Sequence, residues 1–302
     1  MPTIQTVLGP RPSESFEHVL AHEHVFIDLY RVYQPHRDLR LWDEELAIEE
    51  LSHFKKVGGQ LLVDLTTSDL GRDAQKLRRV AERTGVNIVM GTGRYRSPFY
   101  ESTLNRVRTV DLASEFIHDI EVGIGGIRAG VVGEIGTDLD YVSAVEERVH
   151  RAAAEAAMTT GLGLVTHSLG SDVGLAQLEL FEGEGLSPGK IAIGHADTYG
   201  DRSYHRDITQ SGAWLVFDTV RGQNPHDTRG VIRMIEWAIE DDYADRVMIS
   251  HDVCSTAHYR SYGGNGYAFV HGSFRTVLDE SRIPMNVIGG LLGRNAARFL
   301  EV

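Results

Sequence analysis

Eight short apolar runs, spread along the whole chain without polar alternation, constrain the fold more than any other feature. They cover residues 19–24, 60–66, 87–92, 129–135, 163–167, 191–195, 214–218 and 246–252. A strand with one wet face alternates apolar and polar side chains; a strand covered on both faces does not. These runs of Val, Ile and Leu therefore read as buried parallel strands.

Helical patterns fill the gaps. Residues 42–57 set Leu46, Ile48, Leu51 and Phe54 at helical spacing, with Gly58 and Gly59 as a stop. Residues 70–84 end at Gly85, and 101–122 carry Leu104, Val107, Leu112, Phe116 and Ile120. Asp140 is placed to cap a helix that runs to Gly161. Further helices are expected at 172–183 and 228–239, with the weakest pattern at 201–211 and a final pair at 269–280 and 285–299. Eight strand–helix units with no Pro/Ser-rich linker predict an α/β fold, a single (β/α)8 TIM barrel domain over residues 1–302. A doubly wound open sheet is the alternative.

The ends of those runs carry the chemistry. His22 and His24, Glu134, His167, His195 and Asp252 each sit where a strand should stop, the edge at which such barrels place their active sites. Residues two apart on a strand face the same way, so His22 and His24 can grip one cation together. Glu134 lies inside Val131-Val132-Gly133-Glu134-Ile135, where a carboxylate is expensive to bury unless it meets a cation or strong donors. Among 14 histidines, any single strand-end imidazole is more often a satisfied core residue. Six such positions in strand order point instead to a pair of divalent metals and a hydrolase.

Composition narrows the partners. The net charge of −13, from 43 acidic and 30 basic residues, repels nucleic acid and anionic lipid. No apolar run reaches the ~20 residues of a membrane span. The N-terminal stretch lacks the basic and apolar regions of a signal peptide. With Cys254 the only cysteine, no intrachain disulfide can form, which suits a cytoplasmic setting. The expected partner is a small-molecule substrate.

Several segments together resemble the phosphotriesterase family of the amidohydrolase superfamily. They are Ala21-His22-Glu23-His24, Val132-Gly133-Glu134-Ile135-Gly136-Thr137, Val165-Thr166-His167-Ser168, Ile193-Gly194-His195-Ala196-Asp197 and Ile249-Ser250-His251-Asp252. Residues 116–120 and 263–267 are similar to further family segments. The resemblance implies that His22, His24 and Asp252 hold the more buried metal and His167 and His195 the more exposed one. In the best-known members the bridge is a carbamylated lysine. Here position 134 is Glu, as in the branch called phosphotriesterase homology proteins, and the only lysines are Lys55, Lys56, Lys76 and Lys190. The expected bridge is thus Glu134 itself, with no requirement for CO2. The expected cofactor is two divalent ions per chain, zinc by default, with manganese, cobalt or iron as alternatives. Relatives of this type are commonly homodimers.

Two such metals can share a hydroxide and lower its pKa; Asp252 would take its proton and return it to the leaving group. Tyr95 looks like the tyrosine that the family's lactonases direct at the metals. Arg221, Arg260 and His258 lie on loops expected to roof the pocket, and arginine suits carboxylate or phosphate. Thr219 and Thr198 stand where paraoxon-hydrolysing members carry a His and an Asp. The first expectation is therefore hydrolysis of a lactone or carboxylic ester bearing an anionic group. Phosphotriester or amide hydrolysis, or a metal-binding barrel without turnover, is the alternative.

Overall fold

The computed structural model describes residues 1–223 and 225–302, with side chains outside 225–227, and turns the eight apolar runs into eight strands. These are β1 Val19–Glu23, β2 Leu61–Asp64, β3 Asn87–Thr92, β4 Val131–Gly136, β5 Leu164–His167, β6 Ile191–Ile193, β7 Trp214–Phe217 and β8 Val247–Ile249. They pair in sequence order, every neighbour parallel. The ring closes between β1 and β8, where Asp252 N donates to the His22 carbonyl (3.2 Å) and His22 N to Ser250 Oγ (3.0 Å). The result is a (β/α)8 TIM barrel.

Two apolar clusters explain the missing alternation. Val19, Leu61, Val63, Val89, Val131, Val165, Ala192, Val216 and Met248 pack together inside the barrel. Their strand neighbours Leu20, Leu62, Ile88, Val132, Leu164, Ile191, Leu215 and Val247 pack outward against the helices. Both faces are dry, so neither needs polar residues. An N-terminal hairpin, Thr3–Thr6 with Gly9–Pro12, was invisible to the apolar pattern; its Ile4 joins the interior cluster.

The surrounding helices are α1 Glu44–Lys56, α2 Ala74–Thr84, α3 Thr109–Glu121, α4 Ala144–Thr160, α5 Val173–Gly183, α6 Arg202–Ser211 and α7 Pro225–Glu240. Several differ from expectation for local reasons. Ser143, not Asp140, caps α4, through a capping box with Glu146. Residues 102–106 form a 3-10 turn instead of extending α3, and Arg148 on α4 donates to the carbonyls of Leu104 and Asn105 (both 3.2 Å). The weakest pattern forms a full helix, α6, because Asp201 accepts from Ser203 N and Tyr204 N while Gly212 ends it in the left-handed region. After β8 come α8 Arg275–Glu280, α9 Met285–Gly289 and α10 Asn295–Phe299. The expected helix at 285–299 breaks at Gly293, where a Cβ would lie 2.1 Å from the Glu17 carbonyl. Among the described residues, no helix is long and apolar enough to cross a membrane.

Two histidines outside the barrel mouth make the fold sensitive to acid. His150 stacks on Phe181 with ring centroids 5.3 Å apart, and burial pushes its pKa down to about 4. Burial holds His271 at about 3. Both stay neutral when folded but bind protons near pH 6.5 when unfolded. Their stabilisation is complete above that pH and drains away as pH falls towards the folded values. The expected loss is about 2 kcal/mol for each by pH 5. Urea midpoints measured from pH 7.5 to 5 check this; His150→Gln should flatten the slope, and an unchanged slope would refute the assignment.

Candidate metal centre

Strand alternation alone would not bring the ligand-type residues to one place. On β1, Val19 and Ala21 pack inside the barrel, so strict alternation would send His22 and His24 outward. A register shift between Leu20 and Glu23 changes the parity. On β4 a second shift, between Val132 and Ile135, does the same for Glu134. Gly133 permits it: its φ is 140°, and a Cβ there would lie 2.6 Å from the Val165 carbonyl. Such irregularities re-aim side chains beside active sites. His195 and Asp252 arrive by another route, each in a left-handed conformation with φ of 56° and 51°, uncommon for any residue but glycine.

Glu134 lies at the middle of the cluster. Its Oε1 is 3.4 Å from His24 Nε2. Its Oε2 is 3.5 Å from His22 Nε2, 3.0 Å from His167 Nδ1 and 3.7 Å from His195 Nε2. Asp252 Oδ1 is 3.3 Å from His24 Nε2 and 3.9 Å from His22 Nε2. Two groups able to hold a metal therefore share Glu134, one with His22 and His24, the other with His167 and His195. The four imidazoles and Glu134 are all buried; Asp252 is the outermost of the six, its side chain 14% exposed.

A further set of acids holds these groups in place. Asp218, fully buried at the end of β7, accepts His22 Nδ1–H and His195 Nδ1–H, both at 2.7 Å. This turns both Nε2 atoms into the pocket. His24 Nδ1 is 2.9 Å from Thr66 Oγ1. Burial alone would raise the carboxyl pKa of Asp218 and Glu134, yet the surrounding imidazoles hold both below the usual range. Burial opposes charge on His24, but Asp252 and Glu134 lift it to about 10. The carboxylate field that favours a proton on His24 also favours a divalent cation there, while burial and the neighbouring His195 push His167 down to about 4. Asp218→Asn is expected to weaken retention of divalent metal roughly 10–100-fold, the usual effect of losing such an orienting partner. Chelator competition checks this; wild-type retention would reduce Asp218 to packing.

The remaining expected residues divide. Tyr95 is buried, its OH 3.4 Å from both ring nitrogens of His167, and burial raises its pKa well above the ordinary value. Arg221 reaches the rim, donating from Nη2 to Asp252 Oδ2 (2.6 Å) and to the Asp252 carbonyl (2.9 Å). His258 Nδ1 accepts from Cys254 N (3.3 Å) and shares a small cavity with Arg221 and Asn265. Arg260 is exposed, and its backbone amide is tied to Glu50 Oε2 (3.1 Å), with no side-chain bond to the cluster among the described residues. Cys254, partly buried against the apolar core, has its Sγ 3.7 Å from Asp252 Oδ2. Thr198 and Thr219 spend their hydroxyls on the His195 carbonyl and Asp197 (both 2.6 Å). Asp218 and Glu23 escaped notice as site residues. Asp218 did leave a signal, an acid ending the seventh apolar run.

A parallel barrel whose C-terminal rim gathers four imidazoles around one carboxylate defines the class: a metal-dependent hydrolase. The profile of the Phosphotriesterase family matches residues 2–300, and the chain belongs to that family. It is 30% identical to the phosphotriesterase homology protein of Escherichia coli, over 94% of this chain and 98% of that one. The solved structure of that relative, complexed with phosphate in the active site, superposes with a TM-score of 0.90. Aryldialkylphosphatase of Saccharolobus solfataricus is 37% identical, covering 81% of this chain and 79% of its own. N-acetyltaurine hydrolase of Homo sapiens is 27% identical, covering 98% and 97%.

Proposed function

We propose that this barrel hydrolyses a lactone or another carboxylic ester bearing an anionic group, with two divalent metals at the rim and Asp252 moving the proton. The observation that carries the reading is Glu134, one carboxylate within 3.7 Å of a nitrogen from all four imidazoles. The donor set fits such ions. His22 Nε2 is buried without a hydrogen-bond partner and faces Glu134, and imidazole with carboxylate suits zinc, manganese, cobalt or iron. His22, His24, Glu134 and Asp252 would hold one ion, and His167, His195 and Glu134 the other. When bound, the pair would supply Lewis acidity and make water acidic enough to react near neutral pH.

The rest of the chemistry falls to the chain. Asp252 turns Oδ1 towards the imidazoles and Oδ2 towards Arg221, placed to take a proton from water and pass it to the leaving oxygen. Tyr95, kept protonated by burial, is a donor beside His167, suited to orient the ester. Arg221 would meet the substrate's acid group, its buried Nε having no partner. Zinc is the first expectation for the metal, and one cysteine in the chain suits a cytoplasmic setting.

Relatives named for phosphotriester and amide chemistry supply the runner-up. The second is notable because N-acetyltaurine is an amide that ends in a sulfonate. The positions taken by Thr198 and Thr219 weigh against the phosphotriester. Elemental analysis of purified protein, with a panel of lactones, esters, amides and phosphotriesters, tests the proposal. Two ions per chain and fastest turnover of an acidic lactone or ester are expected. A chain that takes up no divalent ion, or turns over nothing on the panel, sinks it.

A further inference from the structure

We propose that Glu23 is a positioning residue whose buried carboxylate clamps the backbone on both sides of Asp252 and so sets that side chain opposite His22 and His24. The proposal rests on the reading of Asp252 as a metal ligand. Glu23 lies between His22 and His24 on β1 and is fully buried. Its Oε1 accepts from Ser250 Oγ (2.7 Å), His251 N (2.9 Å) and His251 Nδ1 (2.7 Å). Its Oε2 accepts from Val253 N (2.8 Å). These donors come from residues 250, 251 and 253, flanking position 252 on both sides. Asp252 N itself donates to the His22 carbonyl (3.2 Å). The clamp is fixed from behind, because Val270 N donates to His251 Nε2 (2.9 Å). Both nitrogens of that imidazole are thereby committed.

The need for a clamp follows from the backbone. Asp252 has a φ of 51°, a strained conformation that persists only where the surroundings over-determine it. The other left-handed rim residue, His195, is caught in the same manner: its N–H lies 3.1 Å from both oxygens of Asp218. Among the described residues, Asp242 is the remaining non-glycine residue with positive φ. It follows α7, its amide donating to the Ile239 carbonyl, and no buried acid of this kind holds it among the described residues. Strain at the rim thus coincides with an acid from a neighbouring strand. Glu23 also joins the two halves of one ligand set, since His22 and His24 flank it at the end of β1 and Asp252 lies beyond β8. Without it, the chain at 252 is free to relax and carry Oδ1 away from His24 Nε2, now 3.3 Å distant.

The test uses the full chain and zinc alone, with affinities taken from chelator competition. Asp252→Asn marks which of two binding events depends on that ligand. Glu23→Gln should weaken the same event roughly 10–100-fold while leaving the other within about threefold, and should lower kcat more than it changes KM. Glu50→Gln is the control. Glu50 is another fully buried acid that fastens backbone amides, those of Arg260 (3.1 Å) and Ser261 (3.0 Å), without touching Asp252. It should disturb neither event. If Glu23→Gln does not fold, His251→Gln removes the Nδ1 donor, keeps an acceptor for Val270 N, and should weaken the same event several-fold. Equal weakening of both events, or affinities matching those of Glu50→Gln, would overturn the proposal. A wild-type chain that binds no zinc would instead overturn the metal reading, and this inference with it.

Discussion

Glu134→Gln is expected to reduce metal content from about two ions per chain to one or fewer, and to lower activity by about three orders of magnitude. The reason is charge and lone pairs. Four imidazoles crowd around this one carboxylate, the nearest nitrogen at 3.0 Å. An amide of the same shape offers one oxygen, no charge and an NH2 that cannot ligate. Two cations facing each other without the shared anion would repel strongly in a buried site. Loss of their polarising effect removes several kcal/mol from the transition state, and each 1.4 kcal/mol is about tenfold in rate. Elemental analysis and steady-state kinetics check both halves. Two tightly held ions in the variant would show that Glu134 is not the bridge. Lys55, Lys56, Lys76 and Lys190 all lie outside β4, so added bicarbonate should change neither metal content nor rate.

The second large effect concerns Asp252. Asp252→Asn should lower kcat by roughly 10²–10⁴, the range for a lost general acid–base group, with KM changed only a few-fold. The loss should deepen as the leaving group becomes more basic. A nitrophenyl ester needs little protonation as it departs, whereas an alkyl lactone opens to an alkoxide that needs a proton. Comparing the two substrate types in the metal-loaded variant separates proton transfer from mere ligation. Equal losses on both would leave Asp252 as a ligand only. Unchanged turnover on all substrates would remove Asp252 from the chemistry, whereas no turnover by the metal-loaded wild type on any of them would favour a metal-binding barrel whose rim does no chemistry.

Much of this could be read along the chain. Doubly covered strands show as unbroken apolar runs, and a helix stop shows as Gly85, whereas the cap expected at Asp140 is taken by Ser143. The ligand-type residues mark the strand ends because a buried carboxylate or imidazole needs a local reason to be there. The helix breaks were less legible. Gly293 reads as any other glycine in the sequence, and only the fold shows its non-helical backbone seated against the Glu17 carbonyl.

What local pattern could determine was therefore composition by position: which segments are strands, and which polar groups stand at their ends. What tertiary structure alone decided was where those groups point. Register shifts in β1 and β4 reverse the parity that alternation would assign; Gly133 permits the one in β4, but the pairing with adjacent strands is where each shift appears. The partners that orient the imidazoles are equally remote, with Asp218 lying 196 positions from His22 and Ser250 lying 227 from Glu23. A period of two is a property of neighbours in sequence. The bonds that aim a ligand belong to neighbours in space.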